Sequence, residues 1–257
     1  MALSSSYVHK ILLSYEGTFF YGWQKTASGP SIQESLEKAL CIITGETTTV
    51  EGCSRTDRGV HALGQVASFS TFLPITCYIK FQKSLNSLLP KTISIRHIEE
   101  ARQDFHPGLD ALSKEYTYYI CTSQQQLPEY RLYSWHSTYP LNLFLMQEAG
   151  RLLTGTHDFA SFTNKRADKK YTDTVRRLDS CRVESLPGER LQITLIGNHF
   201  LYKMARNLVG TVFYIGRGKI ALNDLSALLQ KKEQLHVGIT APACGLWLAN
   251  IIYDTKK

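Results

Sequence analysis

Segments with strand periodicity and segments with helix periodicity occur in both halves of this chain. Apolar side chains recur at every second residue in a half-buried strand and at every third or fourth residue in a helix, so the two patterns are distinct. Residues 7–15 are typical of a strand, and Ser31 and Glu34 form a capping box at the start of a helix with Ile32, Leu36, Leu40 and Ile43 on one face. This mixture predicts an α+β fold.

The other predicted elements continue the pattern. Predicted strands cover residues 60–72, 93–98, 116–121, 191–195 and 245–253, and predicted helices cover residues 144–153, 199–214 and 223–232. The polar stretch 99–113 contains Pro107-Gly108 and is the best candidate boundary. We therefore expect an N-terminal α+β domain over residues 1–110 and a C-terminal α+β domain over residues 111–257.

Composition and charge exclude several classes of protein. Hydrophobic residues make up 43% of the 257 residues and charged residues 20%, which is typical of a globular chain. No run approaches the roughly 18–20 apolar residues of a membrane span, and the first residues lack the charged and apolar regions of a signal peptide. Six scattered cysteines indicate reduced thiols, so we expect a cytoplasmic protein without membrane attachment. The net charge of +7 favours a polyanionic partner without proving one.

Motifs for bound cofactors and metals do not occur in the sequence. There is no Cys-x-x-Cys, no H-E-x-x-H and no G-x-G-x-x-G. Gly216-Arg217-Gly218-Lys219 is followed by Ile220 and lacks the earlier glycine of a phosphate-binding loop. Gly52-Cys53-Ser54-Arg55-Thr56 lacks the second glycine of a nucleophile elbow. The sequence therefore predicts neither a cofactor nor a metal.

The densest cluster of reactive side chains lies in residues 52–62. Asp57 stands between Arg55 and Arg58, beside glycines that permit an unusual turn. A carboxylate near arginines stays ionised, which suits a nucleophile or a general base. The alternative is a surface ion pair that braces a turn, and the residues alone favour that alternative.

Several motifs, in order along the chain, resemble the tRNA pseudouridine synthase A family. The segment 54–62 resembles the family signature G-R-T-D-A-G-V-H-A, and the similarity spans about residues 7 to 253. The other matching segments are Tyr15-Glu16-Gly17-Thr18-Phe19-Phe20-Tyr21-Gly22-Trp23-Gln24, Lys114-Glu115-Tyr116-Thr117-Tyr118, Gly155-Thr156-His157-Asp158-Phe159, Met204-Ala205-Arg206-Asn207-Leu208-Val209-Gly210 and Gly245-Leu246-Trp247-Leu248.

The resemblance implies a fold, a reaction and partners. It implies a two-domain α+β pseudouridine synthase fold, with mixed or antiparallel sheets flanked by helices and a central basic cleft. It also implies a homodimer that isomerises uridine to pseudouridine at positions 38, 39 and 40 of the tRNA anticodon stem-loop, without cofactor or metal. The other candidates are a catalytically silent tRNA-binding protein and the same chemistry at different RNA positions.

The resemblance also implies roles for four residues. Asp57 matches the covalent catalyst, which can attack C1′, add to C6 or help remove the C2′ proton, and the sequence does not choose among these routes. Arg55 matches the residue that displaces the target base, Tyr116 the tyrosine that packs on the uracil, and Arg206 the arginine that pairs with the aspartate. The alternative for Arg55 is a partner for a nearby acid, and that for Tyr116 is an ordinary strand tyrosine. The alternative for Arg206 is a position on a solvated helix face.

The sequence departs from the family pattern in four places, and two of these departures bear on RNA binding. Ser54 replaces a glycine, Arg58 an alanine, Pro107-Gly108 an Ala-Arg pair and Ala205 a valine. Arg58 adds a charge that can contact phosphate or change substrate choice, whereas Gly108 removes one expected RNA contact. None of the four removes Asp57, Arg55, Tyr116 or Arg206.

A basic segment supplies the other expected contacts to RNA. Six positive charges fall within 13 residues, and Lys203, Arg206 and Gly210 share one face of the predicted helix 199–214. Lysine and arginine on phosphates give affinity that does not depend on sequence, although such a segment can equally be a solvated loop. The expected RNA-binding residues are Arg58, Lys165, Arg166, Lys169, Lys170, Arg176, Arg177 and Lys203.

Replacing Lys169 and Lys170 with glutamate tests the basic segment. We expect weaker tRNA binding and a shallower salt dependence, because fewer phosphate contacts release fewer counterions. Turnover at saturating tRNA should change little. Binding isotherms from low to moderate salt measure the effect, and isotherms that match the unaltered protein would remove this segment from the RNA-binding surface.

Overall fold

The structure, a computed structural model, describes residues 6–164, 171–230 and 237–254. The chain forms two compact units, of which unit 1 comprises Met1–Leu112 and Leu248–Lys257 and unit 2 comprises Ser113–Trp247. Strands and helices occur in both units. The α+β fold class is therefore confirmed, while the basic cleft stays a prediction.

Ten strands and five α-helices occur in the described residues. The strands are β1 (Tyr7–Tyr15), β2 (Glu51–Gly52), β3 (His61–Thr71), β4 (Ile93–Glu100), β5 (Ala111–Cys121), β6 (Trp135–His136), β7 (Gly155–Asp158), β8 (Val175–Leu186), β9 (Arg190–Gly197) and β10 (Leu246–Tyr253). The helices are α1 (Ile32–Thr44), α2 (Tyr78–Leu88), α3 (Leu143–Leu153), α4 (Met204–Gly216) and α5 (Asp224–Gln230).

In unit 1, an antiparallel sheet is built around β1. Strand β1 pairs with β3 on one side and β4 on the other, so that Ile11 lies opposite Ala67 and Ile98. β10 lies on the far side of β3, and the short β2 also pairs with β3. Apolar side chains of β1, including Ile11 and Leu13, are buried, which confirms the alternation expected for residues 7–15.

Helix α1 begins where the sequence predicts. The Ser31 hydroxyl accepts a hydrogen bond from the Glu34 backbone N–H at 3.2 Å, and Gly45 ends the helix in the left-handed conformation with φ of 73°. Ile32, Leu36 and Leu40 of the predicted apolar face are buried, whereas Ile43 is only half-buried and Ala39 is buried as well. The apolar face therefore lies closer to Ala39 than the simple spacing predicts.

The last described residues belong to unit 1, whereas the predicted division at residue 110 places them in the C-terminal domain. Residues 248–253 of β10 pack with the N-terminal strands. A Cβ atom on Gly64 of β3 would lie 2.5 Å from the Ala249 carbonyl oxygen, and the Tyr253 hydroxyl donates a hydrogen bond to the Pro107 carbonyl at 2.7 Å. Pairing with β3 places this strand, and sequence order alone does not reveal that pairing.

In unit 2, β9 lies between β5 and β8 in an antiparallel arrangement, and β7 extends the sheet beyond β8. Helix α3 packs closely against β8, because a Cβ atom on Gly150 would lie 2.4 Å from the Cys181 carbonyl oxygen. Helix α4 is almost entirely buried. The ring of Phe213 on this helix lies 4.1 Å, centroid to centroid, from that of Trp135 in β6.

The short strands β2, β6 and β7 are not predicted by the sequence, and β5 begins at Ala111 and not at residue 116. Three further differences have an identifiable physical reason. Helix α4 begins at Met204 and not at residue 199, because Lys203 adopts the left-handed conformation with φ of 59°. Helix α2 was missed because only Leu85 is buried on it, which leaves no apolar stripe to detect. Strand β8 was missed because a β-bulge between Leu178 and Ser180 interrupts its alternation.

Two further features concern the described part of the chain. No helix there is both long enough and apolar enough to cross a bilayer. All six cysteines are free thiols.

Leu36 and Ile42 offer a matched test of the α1 packing. The Leu36 side chain is 1% exposed and that of Ile42 is 69% exposed. We expect Leu36→Ala to lower the free energy of unfolding by about 2–5 kcal/mol through lost burial and an unfilled cavity, and Ile42→Ala by less than about 0.5 kcal/mol. Urea denaturation followed by circular dichroism measures both changes, and equal losses would contradict the packing of this helix.

Candidate active site

Asp57 lies in a tight turn between β2 and β3. Its carbonyl oxygen accepts a hydrogen bond from the Val60 N–H at 3.1 Å, and Gly59 has a φ of 79°, which a residue with a side chain rarely adopts. Arg55 and Arg58 are exposed on either side, whereas Asp57 is half-buried. The turn therefore presents one carboxylate flanked by two exposed guanidinium groups.

Glycines in the loop after β1 hold this turn from one side. A Cβ atom on Gly17 would lie 1.9 Å from the Val60 carbonyl oxygen, and one on Gly22 would lie 2.5 Å from the Thr56 carbonyl oxygen. The Trp23 N–H donates a hydrogen bond to that Thr56 oxygen at 3.0 Å. The backbone at Asp57 is therefore in direct contact with the backbone of residues 17–23, and no side chain fits between them.

Buried polar side chains hold the turn from the other side. The Gln65 amide accepts from the Ser54 N–H at 3.2 Å and donates to the Ser54 carbonyl at 2.7 Å. The Tyr15 and Thr56 hydroxyls are hydrogen-bonded at 2.8 Å, and the Gln65 amide also reaches the Tyr15 hydroxyl at 3.3 Å. Burial strongly raises the pKa of Tyr15, so its hydroxyl keeps its proton. Satisfied buried networks of this kind fix one backbone arrangement.

His61 supports the same loop and does not face solvent. It is fully buried, and its Nδ1 accepts a hydrogen bond from the Gly17 N–H at 3.1 Å. Nδ1 therefore carries no proton in this arrangement. His61 therefore has a structural role, in which it packs against the loop and accepts a hydrogen bond from its backbone.

An exposed surface of aromatic and basic side chains adjoins Asp57. The Arg58 guanidinium lies 4.2 Å from the centroid of the Tyr21 ring. The Tyr21 ring packs on Gly29, where a Cβ atom would lie 2.5 Å from it, and Phe19 is 66% exposed. Arginine and aromatic faces together are typical of surfaces that bind single-stranded nucleic acid. Arg58 is predicted to contact RNA from its charge and position, whereas no local pattern in the sequence assigns a role to Phe19 or Tyr21.

In unit 2, Tyr116 lies in the middle of β5, opposite Leu195 of β9. It is 6% exposed, and its ring makes an edge contact with Phe200 at a centroid distance of 4.9 Å. Phe200 precedes the left-handed residue Lys203 that starts α4. The ring is thus positioned by its strand and by the segment that leads into α4.

Arg206 lies in the first turn of α4 and is held by the backbone of residue 241. Its Nε donates to the Ala241 carbonyl at 2.7 Å, and the Ala241 N–H donates to the Arg206 carbonyl at 3.1 Å. One turn further on, a Cβ atom on Gly210 would lie 1.6 Å from the Ile239 carbonyl oxygen. The backbone of residue 239 therefore packs directly against Gly210, where no side chain would fit.

Asn207 connects three segments around α4, a role that the sequence analysis missed. Its amide nitrogen donates to the Phe162 carbonyl and to the Asn164 side chain, both at 2.8 Å. Its amide oxygen accepts from the Thr240 hydroxyl at 2.6 Å. Asn207 stands within the matched motif 204–210, and its polarity among buried apolar neighbours was the available signal.

The expected RNA-binding residues of unit 2 lie on different surfaces. Arg176 and Arg177 are consecutive in β8 and so point to opposite faces of the sheet, and each pairs with a carboxylate, of Asp173 and Asp179 respectively. Burial, followed by the charges of Lys114 and Arg176, lowers the pKa of His199 nearby. Lys203 lies over the Tyr202 ring at 5.1 Å. Lys165, Arg166, Lys169 and Lys170 lie outside the described residues.

Comparison with known proteins decides the family. A family described as "tRNA pseudouridine synthase" matches residues 11–109 and 149–254. The tRNA pseudouridine synthase A 2 of Protochlamydia amoebophila (strain UWE25) is 46% identical over 244 residues, covering 95% of this chain and 93% of that protein. The tRNA pseudouridine synthase A of Thermoanaerobacter sp. (strain X514) is 40% identical over 243 residues, covering 95% and 98%. This chain belongs to the tRNA pseudouridine synthase family.

Another relative has similar coverage. The tRNA pseudouridine synthase A of Chlamydia abortus (strain DSM 27085 / S26/3) is 39% identical over 245 residues, covering 95% of this chain and 90% of that protein. Relatives of this kind match nearly the whole chain, so both units belong to the family.

The two units carry different parts of the predicted catalytic set. Asp57 and Arg55 lie in unit 1, and Tyr116 and Arg206 lie in unit 2. Within the described ranges, no group of three or more histidine, cysteine, aspartate or glutamate residues is placed to hold a metal ion. The predicted catalytic side chains lie on a turn, on a strand and in the first turn of a helix.

Gly22 and Gly45 offer a matched test of the Asp57 turn. Both have positive φ, of 97° and 73°, but only Gly22 contacts the Thr56 backbone, while nothing lies within 4 Å of a Cβ atom on Gly45. We expect Gly22→Ala to accelerate hydrogen exchange of the Trp23 and Val60 amides, because the added methyl displaces the turn. Gly45→Ala should cost about 1 kcal/mol of stability through backbone strain and leave those amides protected. Equal exchange in the two variants would contradict this account.

Proposed function

We propose that this chain isomerises uridine to pseudouridine in tRNA with Asp57 as the catalytic residue. The observation that carries the proposal is the match of Asp57 to the aspartate of the family signature, on a turn held on both sides. An anchored turn supports catalysis because a reacting group that is already in position loses little entropy during the reaction. The half-buried Asp57 remains reachable by a substrate.

The reaction needs no oxidant or reductant. The N1–C1′ bond breaks, a C5–C1′ bond forms, the proton leaves C5 and N1 gains one, so atoms and electrons balance within the nucleoside. An ionised carboxylate can serve as the nucleophile at C1′ or C6, or as the base at C2′. All three routes use the same oxygen atoms of Asp57.

Arg55 and Tyr116 are proposed to handle the target base. Removing a base from a helix costs a few kcal/mol of stacking. Arg55 is exposed and stands two residues before Asp57, which supports the proposal that its side chain fills the space that the base leaves. Tyr116, held by its strand and by the ring of Phe200, supplies a rigid surface against which uracil can pack.

Arg206 is proposed to pair with the catalytic carboxylate. Its Nε is committed to the Ala241 carbonyl, which fixes the plane of the guanidinium group. A guanidinium with a fixed plane can hold a carboxylate ionised and oriented.

The substrate is proposed to be the tRNA anticodon stem-loop, at positions 38, 39 and 40. Arg58, Lys165, Arg166, Lys169, Lys170, Arg176, Arg177 and Lys203 are the proposed phosphate contacts. The Arg58–Tyr21 stack beside Asp57 supports the first of these contacts. We further propose that the chain acts as a homodimer in the cytoplasm, which sedimentation of the purified protein and fractionation of its cells would test.

Tritium release tests the reaction and the role of Asp57 together. Pseudouridine formation releases the C5 hydrogen to water, so tRNA labelled at uridine C5 reports the chemistry directly. We expect release by the unaltered protein, none by Asp57→Asn, and normal release by the control Asp104→Asn, whose carboxylate is 83% exposed and paired with Arg102 in the same unit. Binding of tRNA by Asp57→Asn should persist.

Other outcomes of this assay contradict parts of the proposal. Equal release by wild type and Asp57→Asn would keep the activity but overturn the assignment of Asp57. No release from any tRNA that the protein binds would indicate a silent tRNA-binding protein. Mapping the modified positions in wild type and Arg58→Ala then tests whether Arg58 alters the choice of uridine.

A further inference from the structure

A pocket lies in unit 2, within residues 135–239. Its volume is about 350 Å³, and the residues that line it include Trp135, Tyr139, Phe213, Tyr214 and Arg217, of which Phe213 is almost fully buried. This volume falls within the range of about 300–1,000 Å³ that is typical of small-molecule sites. None of the four residues assigned to the reaction lines this pocket.

The charge at the pocket comes from Arg217. Its guanidinium lies 3.3 Å from the centroid of the Tyr139 ring, and the rings of Phe213 and Tyr214 lie within 6 Å of it, at 5.8 and 5.9 Å. No aspartate or glutamate lines the pocket, and across the described ranges no carboxylate pairs with Arg217. Stacking on Tyr139 leaves the N–H groups at the edge of the guanidinium plane able to bind an anion.

A buried hydroxyl in the same wall lacks a partner. Ser137 lines the pocket and is 7% exposed, and its Oγ makes no hydrogen bond to any described residue. The Oγ exposes almost no surface, so a ligand hydrogen-bonds to it only after the Ser137 side chain rotates. An unsatisfied buried hydroxyl costs about 1–3 kcal/mol, which such a hydrogen bond would recover. The pocket therefore combines aromatic residues, one cation and one hydroxyl without a hydrogen-bond partner among the described residues.

We propose that this pocket binds a nucleoside 5′-monophosphate unit, with its base against the aromatic walls and its phosphate on Arg217. Aromatic faces accept any nucleobase by stacking, and arginine binds phosphate through two N–H groups at once. A neutral aromatic ligand would leave the Arg217 guanidinium without an ionic partner, and a cationic ligand would be repelled by its positive charge. Given the proposed tRNA substrate, the nucleotide is an unpaired residue of that RNA or a free mononucleotide of the same chemistry.

Direct binding of mononucleotides tests the site without turnover. The probes are uridine, uridine 5′-monophosphate and adenosine 5′-monophosphate, titrated calorimetrically into the purified protein and into Asp57→Asn. Because this readout needs no isomerisation, it separates failure of the pocket from failure of the proposed reaction. We expect both nucleotides to bind the two proteins equally, and to bind more tightly than uridine.

Arg217→Gln and a matched control locate the phosphate. We expect Arg217→Gln to weaken binding of both monophosphates by about tenfold, the factor for loss of one charge-assisted hydrogen bond, and to leave uridine unchanged. Arg190→Gln is the control, since Arg190 also stacks on a tyrosine of unit 2, with its guanidinium 4.4 Å from the Tyr130 ring. Ser137→Ala should weaken all three ligands.

Unmodified tRNA distinguishes the two sources of the nucleotide. Displacement of the mononucleotide by tRNA, with weaker tRNA binding by Arg217→Gln than by Arg190→Gln, identifies a residue of the RNA as the occupant. Mononucleotide binding that tRNA does not displace identifies a free nucleotide.

Three results would overturn the proposal. The first is no mononucleotide binding at millimolar concentration. The second is binding that Arg217→Gln and Arg190→Gln weaken equally. The third is dissociation of a dimer by Arg217→Gln in sedimentation without any nucleotide binding, which would make this pocket part of an interface between copies of the chain.

Discussion

The backbone contact between residues 17–23 and the turn at Asp57 is the constraint on which the candidate site depends. Gly17 and Gly22 bring two loops together without an intervening side chain, and the Trp23 N–H bonds to the Thr56 carbonyl. The same loop is hydrogen-bonded to the start of helix α1, because the Ile32 N–H donates to the Gly22 carbonyl. The position of the Asp57 backbone is therefore tied to the packing of a helix and a strand.

Buried polar groups complete this arrangement. Gln65 projects from β3 to satisfy both backbone groups of Ser54, and Tyr15 projects from the end of β1 to Thr56. Both side chains are almost fully buried, so an unsatisfied partner would be costly and alternative positions of the turn are disfavoured. In this member of the tRNA pseudouridine synthase family, the buried network therefore fixes the backbone of the turn that carries Asp57.

In unit 2, hydrogen bonds to neighbouring segments hold Arg206 and the first turn of helix α4. Helix α4 is buried on nearly all sides, and its polar residues are bonded to neighbouring segments: Arg206 to residue 241, Asn207 to residues 162, 164 and 240. The left-handed Lys203 sets where the helix begins and separates it from the segment that carries Phe200. The first turn of this helix is thus a junction of three segments, which explains why a polar motif occurs in an otherwise apolar helix.

Local sequence patterns predict those elements whose own residues specify them. Alternation defined β1, the Ser31 cap defined the start of α1, and ordered motifs identified the family and pointed to Asp57. Local patterns were insufficient where a distant partner decides the conformation: the bulge in β8 hid its alternation, α2 buries one residue only, and β10 joins unit 1 through β3. The tertiary structure alone placed Gln65 and Asn207 in their networks and brought Trp135 together with Arg217, because contacts across more than ten residues of chain depend on folding and leave no periodic signal in the sequence.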